Sequence, residues 1–142
     1  MSPDEQVNGW DYLNALEEEF LQGGYILPEW ANALTQEADT AFVAGAHVAT
    51  ILTAHAAVEA YLRGEGGREA NSAGLIDGSD LPDDLKADLH LVRRYRNRWV
   101  HVADPWDEKG DLGQPGVEGE VEAMARLALR SLRRVLYSAP WV

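Results

Sequence analysis

The sequence of 142 residues contains no cysteine. Disulfide bonds and metal sites built from thiolates are therefore excluded. The first ten residues, MSPDEQVNGW, are acidic and polar, whereas a secretory leader is basic and then apolar. The length is that of one domain, so we expect a single cytoplasmic domain that spans residues 1–142.

Positive charge is also scarce, because 12 Lys and Arg face 24 Asp and Glu and give a formal net charge of −12. Non-specific affinity for nucleic acid comes from cations that contact phosphates. This composition argues against a protein that binds nucleic acid over its whole surface. Any contact with nucleic acid must be local.

Long uncharged runs are limited to residues 40–58, which have no Asp, Glu, Lys or Arg over nearly the length of a membrane span. The run contains His47 and His55, is dominated by alanine rather than leucine, and has no basic residue before it. It therefore predicts a helix buried inside a bundle and no membrane span.

No run of apolar and polar residues alternates with a period of two over enough residues to predict a strand, and there is no internal repeat. The pattern of apolar residues is helical throughout. Pro28 and Asp80 are candidate residues for the starts of two helices, and Asp104-Pro105 is a stop. The predicted helices are residues 10–21, 29–63, 81–103 and 117–137, with long loops at residues 64–79 and 104–116.

This pattern predicts an all-α bundle of four to five helices. We expect residues 1–27 to contribute a peripheral N-terminal helix and residues 28–138 to form the core bundle.

The segment RRYRNRWVH, residues 93–101, concentrates four arginines within six positions. The apolar stripe of its predicted helix has one gap, which Arg96 fills; the stripe consists of Leu85, Leu89, Val92, Trp99 and Ala103. A buried guanidinium is costly unless its donors find acceptors or an anion.

Asn97 and His101 are four residues apart and share one face of this helix. Arg96 and His101 lie about 7.5 Å apart along the axis and about 140° apart around it. Pairing of two copies of the helix across a two-fold axis would bring these residues together more naturally than one chain does.

The end of this predicted helix resembles the motif of the HEPN family. The motif consists of an arginine, a polar residue, three further residues and a histidine, here Arg96, Asn97, residues 98–100 and His101. The segment ILTAHAAVEAYLRGE resembles an earlier core helix of that family with an inward glutamate, here Glu59. The resemblance covers roughly residues 30–137.

The resemblance implies an all-α domain that dimerises and places paired arginines and histidines at the interface. Many HEPN proteins are metal-independent endoribonucleases, often toxins of toxin–antitoxin or phage-defence systems, and others have lost the motif and only bind. A subgroup carries a tyrosine two positions after the histidine, which a partner nucleotidyltransferase modifies. This chain has Ala103 there, so that regulation is not expected.

The expected chemistry suits these residue types. Cleavage of RNA by its 2′-hydroxyl needs a base and an acid, and histidine serves both near neutral pH. Arginine holds phosphate through two parallel hydrogen bonds and stabilises charge that develops on its oxygens. The catalytic candidates are therefore Arg96, Asn97 and His101.

The RNA-binding candidates are Arg93, Arg94 and Arg98. Glu59 is a candidate structural partner of Arg96, and Trp99 a supporting aromatic residue. We expect no metal and no cofactor. The expected partners are RNA, a second copy of the chain and an antitoxin protein.

Other interpretations remain open. The chain could be a catalytically silent HEPN-like module that binds a nucleotide or a protein, or an unrelated helical interaction domain. Arg93, Arg94 and Arg98 could each be part of a solvated face. His47 and His55 lack a carboxylate at metal-ligand spacing. A further stripe could extend an RNA groove or pair with surface carboxylates; it consists of Arg126, Arg130, Arg133 and Tyr137.

Overall fold

The computed structural model describes residues 2–21, 23–25, 27–101, 106 and 115–138. These residues form six α-helices and no strand, which confirms the predicted all-α bundle. The helices are α1 (Pro3–Phe20), α2 (Glu29–Val43), α3 (His47–Gly64), α4 (Ser72–Asp77), α5 (Asp83–Val100) and α6 (Val117–Leu136).

Two helices replace the single helix predicted for residues 29–63. The break lies between α2 and α3, where Gly45 has a φ of 83°. Glycine adopts this left-handed conformation without the steric penalty of a side chain. The predicted loop at residues 64–79 also contains the short helix α4, whose N-cap Asn71 accepts a hydrogen bond from the Gly74 N–H at 2.7 Å.

The helix starts depend on local capping. α1 begins at Pro3, earlier than predicted, because Ser2 and Glu5 form a reciprocal capping box. The prediction of Asp80 as an N-cap is wrong, because Pro82 occupies that position in α5. Proline disfavours the α conformation in the residue before it, so this helix starts only after Pro82.

α5 ends at Val100, and His101 is its C-cap. The predicted stop at Asp104-Pro105 and the position of Ala103 lie outside the described residues. α6 matches its predicted bounds to within one residue, with acidic residues in its first turn and Arg133 and Arg134 in its last, which suits the helix dipole.

The core surrounds α3, which packs most extensively against α2 and α6. Small side chains let these helices approach closely, and the buried alanines include Ala54 and Ala57 of α3 and Ala125 and Ala128 of α6. Among the helices of the described residues, none combines the length and the apolar composition needed to cross a membrane.

Candidate functional site

The buried face of α5 contains a tyrosine where the sequence analysis placed Arg96. The buried residues of this helix are Leu85, Leu89, Val92 and Tyr95. Tyr95 continues the face because a step of three residues from Val92 stays on the same side of a helix. Arg96, four residues after Val92, satisfies the helical spacing equally well but is only half-buried.

Arg96 lies near a group of polar side chains from α3 and α4, which we term the Glu59 cluster: His55, Glu59 and Ser72. The His55 ring is buried, and its Nε2 lies 2.9 Å from Glu59 Oε1, although this contact is not aligned as a hydrogen bond. The Ser72 hydroxyl donates to the same carboxylate oxygen. The cluster thus ties α4 to α3 next to α5.

The Glu59 cluster favours an ionised carboxylate. The contact with His55 lowers the pKa of Glu59 to about 2; burial opposes this effect, and the Ser72 hydroxyl and the charge of Arg96 reinforce it. Arg96 acts from a distance, since no ion pair within 4.0 Å joins it to Glu59 among the described residues. The Nε of Arg96 is buried without a hydrogen-bond partner in this part of the chain.

Among the contacts of the described residues, His101 makes no side-chain hydrogen bond or ion pair with the Glu59 cluster. Its side chain is exposed at the end of α5, and its backbone N–H donates to the carbonyl oxygen of Asn97 at 2.9 Å. Asn97 is half-buried and lies one turn before it. His101 is the C-cap of α5 and leaves the helical conformation, with a φ of −121° and a ψ of 51°. On an ideal helix Arg96 would lie about 140° around the axis from His101.

The three arginines predicted to bind RNA have different surroundings. Arg98 donates to Glu120 of α6 at 3.2 Å and lies over the Tyr95 ring, 4.9 Å from its centroid. Arg94 is exposed. Arg93 is half-buried and donates through Nε to the ring of His90 at 3.2 Å.

His90 is in turn held by α4, because its Nε2 lies 2.7 Å from Asp77 Oδ1. The sequence analysis did not identify His90, Asp77 or Ser72 as candidates. His90 lies three residues before Arg93, a spacing that indicates a shared face of α5. For Asp77 and Ser72 no local signal existed, since their partners belong to other helices.

Trp99 is partly buried against the core and lines a cleft of about 810 Å³. The cleft lies between the start of α1, the turn between α2 and α3, the end of α5 and the start of α6. Its charged lining residues are mostly acidic: Glu5, Glu118, Glu122 and Arg126. Trp99 thus has a packing role and also borders open space.

Three of the four arginines of α6 contact α1. Arg130 forms two hydrogen bonds with the Glu19 carboxylate, at 2.8 and 2.9 Å. Arg126 lies over the Tyr12 ring, 4.6 Å from its centroid. Arg133 is 1% exposed and contacts carboxylates of α1 and α2. These contacts favour the interpretation of the stripe as carboxylate pairing rather than an RNA groove.

The other two histidines have separate surroundings: His55 belongs to the Glu59 cluster, and His47 packs on the Phe42 ring with centroids 5.5 Å apart. Within the described ranges, no group of three or more His, Asp or Glu side chains is placed to hold a metal ion.

Comparison of the chain with protein-family models, curated proteins and solved structures gives no match. The function must therefore be argued from the residues and their geometry.

Proposed function

We propose that the chain is a metal-independent endoribonuclease whose active site forms between two copies of α5. The observation that carries the proposal is the exposed imidazole of His101 at the end of α5, four residues after Asn97 and seven residues after the exposed Arg94. A protein with a net charge of −12 repels RNA except where its cations are concentrated.

The chemistry assigns a role to each residue. One imidazole removes the proton from the 2′-hydroxyl, and a second protonates the leaving 5′-oxygen. Arg96 stabilises the charge on the phosphate, and Asn97 orients the imidazole or the phosphate. The products carry 2′,3′-cyclic phosphate ends, because the attacking group is the neighbouring hydroxyl.

Two copies of the chain supply two imidazoles. On an ideal helix Arg96 and His101 would diverge by about 140°, so a two-fold axis near α5 is the simpler way to gather both residue types. Leu91 and Val100 of α5 expose 43% and 44% of their surface and offer apolar area for this contact.

The HEPN resemblance suggests the biological setting. On that basis we propose a cytoplasmic toxin of a toxin–antitoxin or phage-defence system, with an antitoxin protein as its second partner. A growth assay with the expressed chain tests this setting separately from the chemistry.

Cleavage of end-labelled RNA in EDTA tests the ribonuclease proposal. We expect cyclic phosphate ends, loss of cleavage in Arg96→Ala and His101→Ala, and unchanged dimerisation in both. Arg68→Ala is the matched control, since Arg68 is an exposed arginine in the loop before α4. A requirement for a divalent metal, or full activity of His101→Ala, would contradict the mechanism.

A second candidate function is a catalytically silent HEPN-like module that binds a nucleotide or a protein. The observation that favours it is the position of Arg96 near the Glu59 cluster, since a motif arginine used for structure is not available for catalysis. Absence of cleavage across varied RNAs, together with stable dimers, would favour this module.

A further inference from the structure

Three side chains link α4 to the outer face of α5 in a row: Asp77, His90 and Arg93, which we term the Arg93 clamp. Asp77 Oδ1 lies 2.7 Å from His90 Nε2, and Arg93 Nε donates to His90 Nδ1 at 3.2 Å. The His90 side chain is 17% exposed, so the ring is mostly covered, whereas the Asp77 side chain is 68% exposed.

The hydrogen-bond roles determine the tautomer of His90. An ionised carboxylate only accepts hydrogen bonds, so Nε2 of His90 carries the proton that Asp77 accepts. Arginine only donates, so Nδ1 of His90 carries no proton and accepts from Arg93. The ring is therefore neutral and orients Arg93 without neutralising its charge.

The arginines of α6 differ from Arg93 in the charge of their partners. Each arginine of α6 has a carboxylate oxygen within 4.0 Å; the pairs are Arg126 with Glu122, Arg130 with Glu19, Arg133 with Glu17 and Asp39, and Arg134 with Asp84 and Asp88. Arg93 instead has an uncharged acceptor at its Nε. Among the described residues its two terminal nitrogens have no hydrogen-bond partner, and neither nitrogen is buried.

We propose that the Arg93 clamp is a phosphate-binding site that holds the backbone of a single-stranded nucleic acid. With its Nε engaged, Arg93 presents the paired terminal nitrogens, whose geometry matches two oxygens of one phosphate. The exposed Arg94 adds a second cation beside it. Asp77 and His90 are positioning residues, because they act only through Arg93.

The clamp deepens the ribonuclease proposal and rests on it, since the phosphate is taken to belong to the RNA substrate. Arg93 precedes His101 by eight residues, which is about 12 Å along the helix axis. Arg93 and His101 therefore contact different phosphates of the same strand. Changes to the clamp should raise KM and leave kcat unchanged.

Binding of a 2′-O-methylated single-stranded oligonucleotide, measured by fluorescence anisotropy, tests the clamp without any cleavage, because the attacking hydroxyl is blocked. We expect Arg93→Ala to weaken binding about tenfold, and His90→Leu and Asp77→Ala by about threefold or more. In Arg93→Ala, the magnitude of the slope of log K against log salt concentration should fall by about 0.7, the value for one phosphate contact to a single strand.

The matched control is Lys86→Met. The Lys86 ammonium donates to the backbone carbonyl of Asp77 at 3.1 Å, so it also ties α5 to α4 but does not touch Arg93. We expect its affinity and salt slope to equal those of the unaltered protein. Equal losses in Lys86→Met and His90→Leu would show that only the docking of α4 matters, and would overturn the clamp.

A double-mutant cycle tests whether His90 acts by positioning Arg93 or only by supporting the fold. If His90 acts through Arg93, His90→Leu costs no affinity once Arg93 is already alanine. An equal loss in both backgrounds overturns the clamp, as does normal binding by His90→Leu or no binding by the unaltered protein.

The two proposals fail in different ways. If the unaltered protein cleaves no RNA but the clamp variants lose oligonucleotide binding, the clamp proposal is retained and the ribonuclease proposal is rejected. If the protein cleaves RNA and the His90→Leu variant has the same KM as the unaltered protein, the ribonuclease proposal is retained and the clamp proposal is rejected.

Discussion

At the scale of single residues, the neighbours of a charge decide whether it supports the fold or remains available to a ligand. Glu59 accepts from Ser72, contacts the buried His55 and is close enough to Arg96 for its pKa to respond. Removal of this carboxylate would leave the buried His55 ring without its polar neighbour and the half-buried guanidinium of Arg96 without a nearby negative charge. Glu59 therefore stabilises both α3 and the motif arginine.

Glu59→Ala should destabilise the protein by about 1–3 kcal/mol at neutral pH, because it removes a partly solvated carboxylate whose pKa the cluster lowers from the ordinary 4.5 to about 2. Because the folded pKa is the lower one, this contribution is complete above about pH 4.5 and is lost as the pH falls towards 2. Denaturant unfolding at several pH values measures it.

Glu18→Gln is the control for this prediction, since Glu18 is an exposed glutamate of α1. We expect its stability to follow that of the unaltered protein at every pH. An unchanged free energy of unfolding in Glu59→Ala would show that the cluster contributes nothing to the fold.

At the scale of elements, α1 is attached to the bundle by apolar packing and by one buried ion-pair network. Leu13 and Leu16 are buried. Arg133 of α6 contacts Glu17 of α1 at 3.1 Å and Asp39 of α2 at 2.8 Å. One arginine therefore connects three helices.

Burial of this network has a desolvation cost in addition to its role in connecting the helices. Desolvation raises the pKa of Asp39 although Arg133 opposes the effect. Nη1 of Arg133 and Oδ1 of Asp39 are buried without a hydrogen-bond partner in the described part of the chain. Such a network depends on all its members, because the loss of one strands the others.

Arg133→Met should destabilise the protein by about 3–5 kcal/mol, since it leaves Glu17 and Asp39 without their counter-charge. Arg130→Ala removes the more exposed pair with Glu19 and should cost about 1 kcal/mol or less. Chemical denaturation of both variants compares them. Equal effects would show that burial of Arg133 is not what matters.

At the scale of the whole molecule, the ribonuclease proposal depends on contact with a second copy. The proposed active site needs two copies of α5, and Leu91 and Val100 supply exposed apolar area on that helix. The other exposed apolar positions of the described helices include Val7 and Trp10 of α1 and Trp30 of α2. The ribonuclease proposal requires contact through α5.

Sedimentation should therefore show a dimer at micromolar concentration. Leu91→Lys should weaken the dimer at least tenfold, because it places a charge in the apolar contact. Val7→Lys is the matched control on α1 and should leave the dimer intact. A monomer at high concentration, or dissociation by the α1 variant alone, would contradict a site between two copies of α5.

Much of the architecture was predictable from local pattern. Apolar periodicity and the charge polarity of α6 predicted that helix to within one residue, because its signals lie within the helix itself. The all-α class was predictable for the same reason. The concentration of arginines in residues 93–98 is also a property of the sequence alone.

The tertiary structure alone decided which charges are paired. Ser72 and Glu59 are 13 residues apart in sequence, as are Asp77 and His90, and Arg133 lies 116 residues from Glu17. No periodicity within a helix encodes such contacts, because they depend on how the helices pack. Packing also placed Tyr95 in the core and Arg96 at its margin, since both residues satisfy the helical spacing and only the neighbouring helices distinguish them.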